Sequence, residues 1–155
     1  MTLTLTIDGR TISVPEGTTI WEAARETGIE IPVLCHEPRL RPVGVCRMCV
    51  VDVGERVLAA SCVRAAADGM TVHTRSDKVE RCRKTLTELL LSDYPGESRR
   101  EKTTGDDLLL ALARRYGLRQ DALALPRGNG RPQDSSSPVI AVDHAACILC
   151  DRCIR

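Results

Sequence analysis

The sequence contains very few aromatic residues, with one Trp, two Tyr and no Phe among 155 residues. Proteins that bind single-stranded nucleic acid without sequence preference stack the bases on aromatic side chains, and this chain offers almost none. It has 22 Lys and Arg against 21 Asp and Glu, so the basic excess of a nucleic-acid footprint is missing too. We therefore expect no nucleic-acid partner, and we expect a core built from Leu, Ile, Val and Ala.

Long apolar runs are also missing. No stretch approaches the ~20 apolar residues that a membrane-spanning helix needs, and the first residues lack the basic and apolar regions of a secretory signal. We expect no transmembrane segment and a cytoplasmic location. Because disulfides are rare in that compartment, the eight cysteines of the chain indicate metal sites instead.

The beginning of the chain has the pattern of a β-hairpin. Apolar and polar residues alternate on both sides of Asp8-Gly9, and an Asp-Gly pair in that setting is a strong signal for a two-residue turn. Pairing across the turn places Leu5 opposite Ile12 and Leu3 opposite Val14, which gives the hairpin one apolar face.

A short helix and three short strands complete the same unit. Thr19 to Glu22 fits a capping box, and Gly28 stands where the end of a helix favours glycine. The strands are expected at residues 50–53, 57–60 and 70–73. Since a hairpin followed by a helix is the opening of a β-grasp domain, we predict an α+β fold with this domain over residues 1–75.

The rest of the chain is predicted to contain two helices and a linker. Acidic residues in the first turn and basic residues in the last turn predict a helix over residues 106–116, and the charged stretch 97–102 before it is expected to be a solvated loop. Residues 76–125 therefore form a helical segment, and the Pro, Gly and Ser content of residues 126–138 indicates a linker. The first of the two helices begins at Ser76, and its apolar residues recur at steps of three and four; they are Val79, Cys82, Leu86, Leu89 and Leu90.

Four cysteines have a spacing that suits an iron–sulfur cluster. Cys35, Cys46, Cys49 and Cys62 follow the pattern C-x10-C-x2-C-x12-C. Four thiolates can hold a [2Fe–2S] core, and a tight turn after Gly44 would let backbone N–H groups face the sulfurs. Structural zinc also accepts four thiolates, but zinc ribbons usually contain two C-x2-C pairs and these four cysteines contain one. We predict [2Fe–2S] ligands, with a zinc-stabilised, non-redox interaction module as the alternative.

The sequence around these cysteines resembles a known family. The runs Pro32 to Cys35, Gly44 to Val53 and Ala60 to Cys62 are similar to the N-terminal [2Fe–2S] domain of a group of redox enzymes. That group comprises the large subunit of bacterial NADH:quinone oxidoreductase, the iron-only hydrogenases and the alpha subunits of NAD-dependent formate dehydrogenases. The resemblance covers residues 3–92, and it implies the same four cysteine ligands and a role in electron transfer.

A second cysteine pattern lies in residues 139–155. Cys147, Cys150 and Cys153 begin the C-x2-C-x2-C-x3-C-P run of bacterial ferredoxins with two [4Fe–4S] clusters. The sequence ends at Arg155, before the fourth cysteine of that run. We therefore expect the truncated start of a [4Fe–4S] ferredoxin domain, with three metal ligands here and [4Fe–4S] clusters only in a full-length parent polypeptide. A standalone soluble ferredoxin is the alternative.

One departure from the resembling family bears on the parent enzyme. Many members carry a [4Fe–4S] motif of one histidine and three cysteines after the second helix, but Tyr94 stands where that histidine is expected. No cysteine occurs between Cys82 and Cys147, so we expect the middle cluster to be absent. This favours a formate-dehydrogenase-like parent over the respiratory complex. In that case the chain relays single electrons between a molybdopterin centre and a partner subunit that carries flavin or an iron–sulfur cluster.

The remaining polar residues suggest no further chemistry. The sequence shows neither a glycine-rich phosphate loop nor a nucleophile next to a base, so we predict no catalytic residue and no substrate-converting site in this chain. Cys82 is interpreted as a buried core thiol because it lies on the apolar stripe of its helix. His36 is interpreted as a surface residue or as a support for the neighbouring ligand.

Overall fold

The structure of the protein is a computed structural model that describes residues 1–95, 98–119 and 132–155. Contacts divide the chain into two units, one formed by Met1–Arg83 with Asp151–Arg155 and the other by Lys84–Cys150. The helices and strands, in chain order, are β1 (Thr2–Ile7), β2 (Arg10–Pro15), α1 (Ile20–Glu26), β3 (Val50–Val51), β4 (Ala59–Ala60), β5 (Thr71–Val72), α2 (Asp77–Ser92), α3 (Arg99–Thr103), α4 (Leu108–Arg115), β6 (Gln133–Asp134) and β7 (Val142–Asp143).

The sheet of the first unit is built around β1. Its order is β2-β1-β5, with β2 antiparallel and β5 parallel to the central strand. The hairpin register is the predicted one, because Leu5 pairs with Ile12 and Leu3 with Val14. Asp8 and Gly9 both have positive φ angles, of 47° and 81°, which is the requirement of the favoured two-residue hairpin turn.

The helix α1 packs its small apolar face onto this sheet. Thr19 accepts a hydrogen bond from the Glu22 backbone N–H, and the Glu22 carboxylate accepts one from the Thr19 backbone N–H, so the predicted capping box is present. Ile20, Ala23 and Ala24 are buried in the same hydrophobic cluster as the strands. With the β3-β4 pair added, the unit has mixed α and β content consistent with a β-grasp domain.

The strands β3 and β4 are shorter than predicted. Each has two residues, Val50–Val51 and Ala59–Ala60, whereas four residues were predicted for each. The intervening residues 54–57 are exposed, so they have no core face against which a longer ladder could be fixed.

The helix α2 begins as predicted but buries a different face. Ser76 accepts from the Val79 backbone N–H, in the position expected of a cap. Of the predicted apolar stripe, Val79 is buried, Cys82 is half-buried and Leu89 is 61% exposed. The placement of Leu89 in the core was therefore wrong. The buried face follows steps of four residues instead: Val79, Arg83, Thr87 and Leu91.

The second unit contains α3 and α4. The predicted solvated loop over residues 97–102 begins outside the described residues, and for residues 99–102 the prediction was wrong, because α3 covers Arg99–Thr103 with Ser98 as its cap. The helix α4 lies within the predicted range and is capped by Asp107. Residues 120–131, the end of the predicted helical segment and the beginning of the predicted linker, lie outside the described residues. No helix in the described part of the chain is long and apolar enough to cross a membrane.

Candidate metal centre

The loop between α1 and β3 carries three of the four predicted ligands, and the fourth follows β4. Cys35, Cys49 and Cys62 are buried, and Cys46 is partly buried. None of the four forms a disulfide. The unit therefore presents four reduced thiols from two neighbouring segments to one buried region.

The four thiols form a continuous row of contacts. The Sγ atoms of Cys49 and Cys62 lie 3.3 Å apart, and the thiols of Cys46 and Cys62 are close enough to Cys35 to lower its pKa. The order along the row is Cys46, Cys35, Cys62, Cys49. Within the described residues, no three His, Cys, Asp or Glu side chains are grouped around a single ion position. The row consists of two pairs, since the Cys35 N–H contacts the Cys46 Sγ and the Cys49 and Cys62 Sγ atoms contact each other.

The contacts within the row polarise the thiols. The hydrogen bond with Cys46 is the largest cause that lowers the pKa of Cys35, and the hydrogen bond with Cys62 lowers the pKa of Cys49 to about 6. The same contacts raise the pKa of Cys46 and of Cys62, each chiefly through its bond to Cys35. The pKa shifts thus alternate in direction along the row. Because a metal core takes thiolate ligands, binding must displace the protons that the raised pair retains.

Backbone amides face the sulfurs, as predicted from the turn after Gly44. The Cys35 N–H donates to the Cys46 Sγ at 3.4 Å, and the amides of Val45 and Met48 donate to the Cys35 and Cys46 thiols. Gly44 has a φ of 66°, and a Cβ there would lie 3.3 Å from both methyl carbons of Val63. Glycine therefore allows both the positive φ of this turn and its close approach to Val63.

The backbone around Cys49 is held by two further side chains. The Ser61 Oγ donates to the Cys49 carbonyl at 2.7 Å. The Arg83 guanidinium donates to the Met48 carbonyl from Nε at 3.2 Å and to the Val50 carbonyl from Nη2 at 2.7 Å. The sequence pattern gave Arg83 no role, because charged residues of a helix are expected on its solvent face. The spacing of four residues between Val79 and Arg83 was the one sequence signal that could have placed Arg83 on the buried face.

The final five residues also contact the cysteine loop. The Arg152 Nη2 donates to the His36 carbonyl at 2.9 Å, and the Arg155 Nη2 donates to the Cys35 carbonyl at 2.6 Å. The Arg155 Nη1 donates to the Arg41 carbonyl. Nothing in the residue pattern pointed to this return of the chain onto the loop.

His36 is not a surface residue. Its side chain is 7% exposed, and its ring makes an edge contact with Trp21 at 4.4 Å between ring centres. Burial lowers the pKa of His36. The interpretation as a surface residue was therefore wrong, and the ring is part of the packing next to Cys35.

The cysteines of the second pattern remain predicted ligands. Cys147 and Cys153 are exposed, and Cys150 is partly buried. Cys82, the remaining cysteine, is half-buried on α2 and does not belong to the row.

Comparisons with known proteins identify the family of the first unit. Residues 1–77 match the family described as a 2Fe-2S iron-sulfur cluster binding domain. The NADP-reducing hydrogenase subunit HndD of Solidesulfovibrio fructosivorans is 41% identical over 97% of this chain and 27% of that protein. An NADH-quinone oxidoreductase subunit of Streptomyces coelicolor is 38% identical over 99% of this chain and 18% of that protein.

A solved structure shows the same fold. The crystal structure of an NAD+-reducing [NiFe]-hydrogenase in the H2-reduced state contains a similar chain, with a TM-score of 0.85 and 35% identity. The match covers 98% of this chain and 64% of the other. The present chain spans between 18% and 27% of the two curated relatives. Residues 1–77 belong to the family of 2Fe-2S iron-sulfur cluster binding domains. Over nearly its whole length, the chain is a homologue of an NADH-quinone oxidoreductase subunit and of an NADP-reducing hydrogenase subunit.

Proposed function

We propose that Cys35, Cys46, Cys49 and Cys62 hold a [2Fe–2S] cluster that transfers one electron at a time. The observation that carries the proposal is the buried, continuous row of these four thiols in a domain of this family. The row divides into two adjacent pairs, Cys46 with Cys35 and Cys62 with Cys49, and a two-iron core takes four thiolates. When bound, the cluster supplies one-electron redox chemistry.

The residues of the chain bind the core and control its surroundings. Burial of Cys35, Cys49 and Cys62 limits the access of water to their sulfurs, and the amides of Val45 and Met48 donate to the thiols of Cys35 and Cys46. Hydrogen bonds to cluster sulfurs stabilise the more negative, reduced state and so raise the reduction potential. The chain contributes no substrate chemistry to this proposal.

The parent enzyme is a further part of the proposal. The relatives are named as subunits of NADH-quinone oxidoreductase and of a NADP-reducing hydrogenase, so we propose a relay between the catalytic centre of a larger oxidoreductase and a partner subunit with flavin or iron–sulfur. The proposal of a formate-dehydrogenase-like, molybdopterin-dependent parent rests only on the absence of cysteines between Cys82 and Cys147 in the sequence. Cys147, Cys150 and Cys153 as [4Fe–4S] ligands and a cytoplasmic location are parts of the same proposal.

The experiment for the first part is anaerobic reconstitution with iron and sulfide. We expect about two irons and two sulfides per chain, visible absorption, and a paramagnetic signal after reduction with dithionite. Replacing any one of the four cysteines by serine should remove most of the bound iron, because each supplies a quarter of the thiolates. The three cysteines of the second pattern are replaced by serine in all samples so that they contribute no iron.

Cys82→Ser is the matched control, since Cys82 lies outside the row and should leave iron content unchanged. The proposal fails if the reconstituted chain is colourless, if it binds zinc with no sulfide, or if the control loses as much iron as the four ligand variants. Bound zinc without sulfide would support the non-redox interaction module instead.

A further inference from the structure

Arg83 is a fully buried cation beside the candidate metal centre. Its side chain is 1% exposed, although it belongs to a helix whose other arginine in the same turn, Arg81, is exposed. A charge removed from water costs several kcal/mol unless it is paired and hydrogen-bonded. The position of Arg83 therefore depends on specific partners within the unit.

These partners lie on both sides of a proposed ligand. Nε donates to the Met48 carbonyl at 3.2 Å and Nη2 donates to the Val50 carbonyl at 2.7 Å. The guanidinium thus bridges the backbone carbonyls of the two residues that flank Cys49. A planar guanidinium with several donors can span two acceptors in a fixed geometry, which a lysine ammonium does not reproduce.

Glu80 provides a counter-charge to Arg83. Its carboxylate lies 3.3 Å from Nη1, and its side chain is 34% exposed against 1% for the arginine. Water therefore screens the negative partner more than the positive one. On its other side the guanidinium lies against buried backbone next to the Cys49 ligand, since Met48, Cys49 and Val50 are each at most 2% exposed.

We propose that Arg83 is a positioning residue for the [2Fe–2S] cluster, fixing the segment of Cys49 and stabilising the reduced cluster with its buried positive charge. The inference rests on the proposed function. Reduction adds one electron, supplied by dithionite or by a redox partner, and no bond to carbon, nitrogen or oxygen forms or breaks. Because the reduced core is more negative by one charge, a fixed cation nearby favours it and raises the reduction potential.

The test is a redox titration of Arg83→Gln, followed by the paramagnetic signal of the reduced cluster. We expect the reduction equilibrium to fall about tenfold, which for one electron is about 59 mV towards more negative potential. Arg81→Gln removes the same charge from the exposed side of α2 and should give a much smaller shift. Arg83→Lys should keep the potential close to wild type but lose iron, since it retains the charge and loses the two-carbonyl bridge.

A second variant keeps the inference testable if Arg83→Gln retains too little cluster. Glu80→Gln removes the counter-charge and should raise the potential, whereas Asp77→Asn, an exposed carboxylate on the same helix, should change it much less. The inference is overturned if Arg83→Gln has the wild-type potential, or if Glu80→Gln shifts it no more than Asp77→Asn. A wild-type chain without an iron–sulfur signal would instead contradict the proposed function.

Discussion

Asp8 combines two roles that its place in a turn alone would not suggest. It adopts the positive φ that the hairpin requires, and its carboxylate accepts hydrogen bonds from the Thr74 backbone N–H at 2.8 Å and from the Thr74 hydroxyl. Thr74 is 1% exposed. The backbone of Asp8 thus forms part of the hairpin turn, and its side chain holds Thr74, which follows β5, against that turn.

We predict that Asp8→Ala lowers the free energy of unfolding of the protein by about 1–3 kcal/mol, because the buried donors of Thr74 lose their acceptor. Chemical denaturation measures the difference. Asp8→Asn is the control, since asparagine tolerates positive φ and retains a carbonyl acceptor; it should cost much less. Equal losses for the two variants would contradict a role for the hydrogen bonds.

Among the helices and strands, the N-terminus of α4 is organised by Asp107. One carboxylate oxygen accepts from the backbone N–H groups of Leu109 and Leu110 at 3.0 and 3.1 Å. The other accepts from the hydroxyls of Tyr94 and Ser98, both at 2.5 Å. This side chain ties the segment after α2, the cap of α3 and the start of α4 to a single buried group.

We predict that Asp107→Ala destabilises the second unit by about 2–4 kcal/mol, since it removes a helix cap and leaves two hydroxyls with no acceptor. Loss of helical circular dichroism during thermal or urea unfolding measures it. Asp106→Asn, at an exposed ion pair with Arg100, is the control and should have a much smaller effect. A similar loss of stability in the Asp106→Asn control would show that Asp107 has no special role.

The same carboxylate makes the second unit sensitive to acid. Burial alone would raise the pKa of Asp107, but the hydrogen bonds from Ser98, Tyr94 and the two amides outweigh it and hold the pKa below its usual value. With a folded pKa below the unfolded value of about 3.9, the charged form stabilises the fold above that pH. We expect this stabilisation to be lost as the pH falls below about 4, and to be absent in Asp107→Asn. The prediction would be contradicted if the free energy of unfolding fell equally with decreasing pH in the wild type and in Asp107→Asn.

Across the molecule as a whole, residues 151–155 return to the first unit from the far end of the sequence. Arg155 donates to a carbonyl 120 positions earlier and Arg152 to one 116 positions earlier. Both acceptors lie in the loop that carries Cys35. Tertiary structure thus connects the segment around the predicted ligand Cys153 with the loop of the [2Fe–2S] site.

We predict that the double variant Arg152→Ala, Arg155→Ala loosens residues 35–41. Loss of charged hydrogen bonds worth about one or two kcal/mol should make amide hydrogen exchange in this loop roughly 5- to 30-fold faster. Mass spectrometry of peptic fragments measures the exchange. Arg56→Ala, on the exposed turn between β3 and β4, should leave it unchanged, and unchanged protection in the double variant would mean that the contacts do not hold the loop.

Features that depend on neighbours along the chain could be predicted from the amino-acid order. The register Leu5 with Ile12 follows from period-two alternation and an Asp-Gly turn, and the capping box at Thr19 follows from a four-residue pattern. Alternation and caps are local physics, so they can be recognised without coordinates. The spacing of the four cysteines also singled them out, and their role as [2Fe–2S] ligands stays a prediction.

The groups that surround those cysteines, by contrast, were set by long-range folding. Arg83, Arg152 and Arg155 donate to backbone carbonyls between 33 and 120 positions away. Every residue has such a carbonyl, so the acceptor leaves no mark in the sequence, and only the folded chain determines which one meets a guanidinium. The same reason explains why the buried face of α2 contains Arg83. The apolar pattern had predicted a different face, which contains Leu86, Leu89 and Leu90.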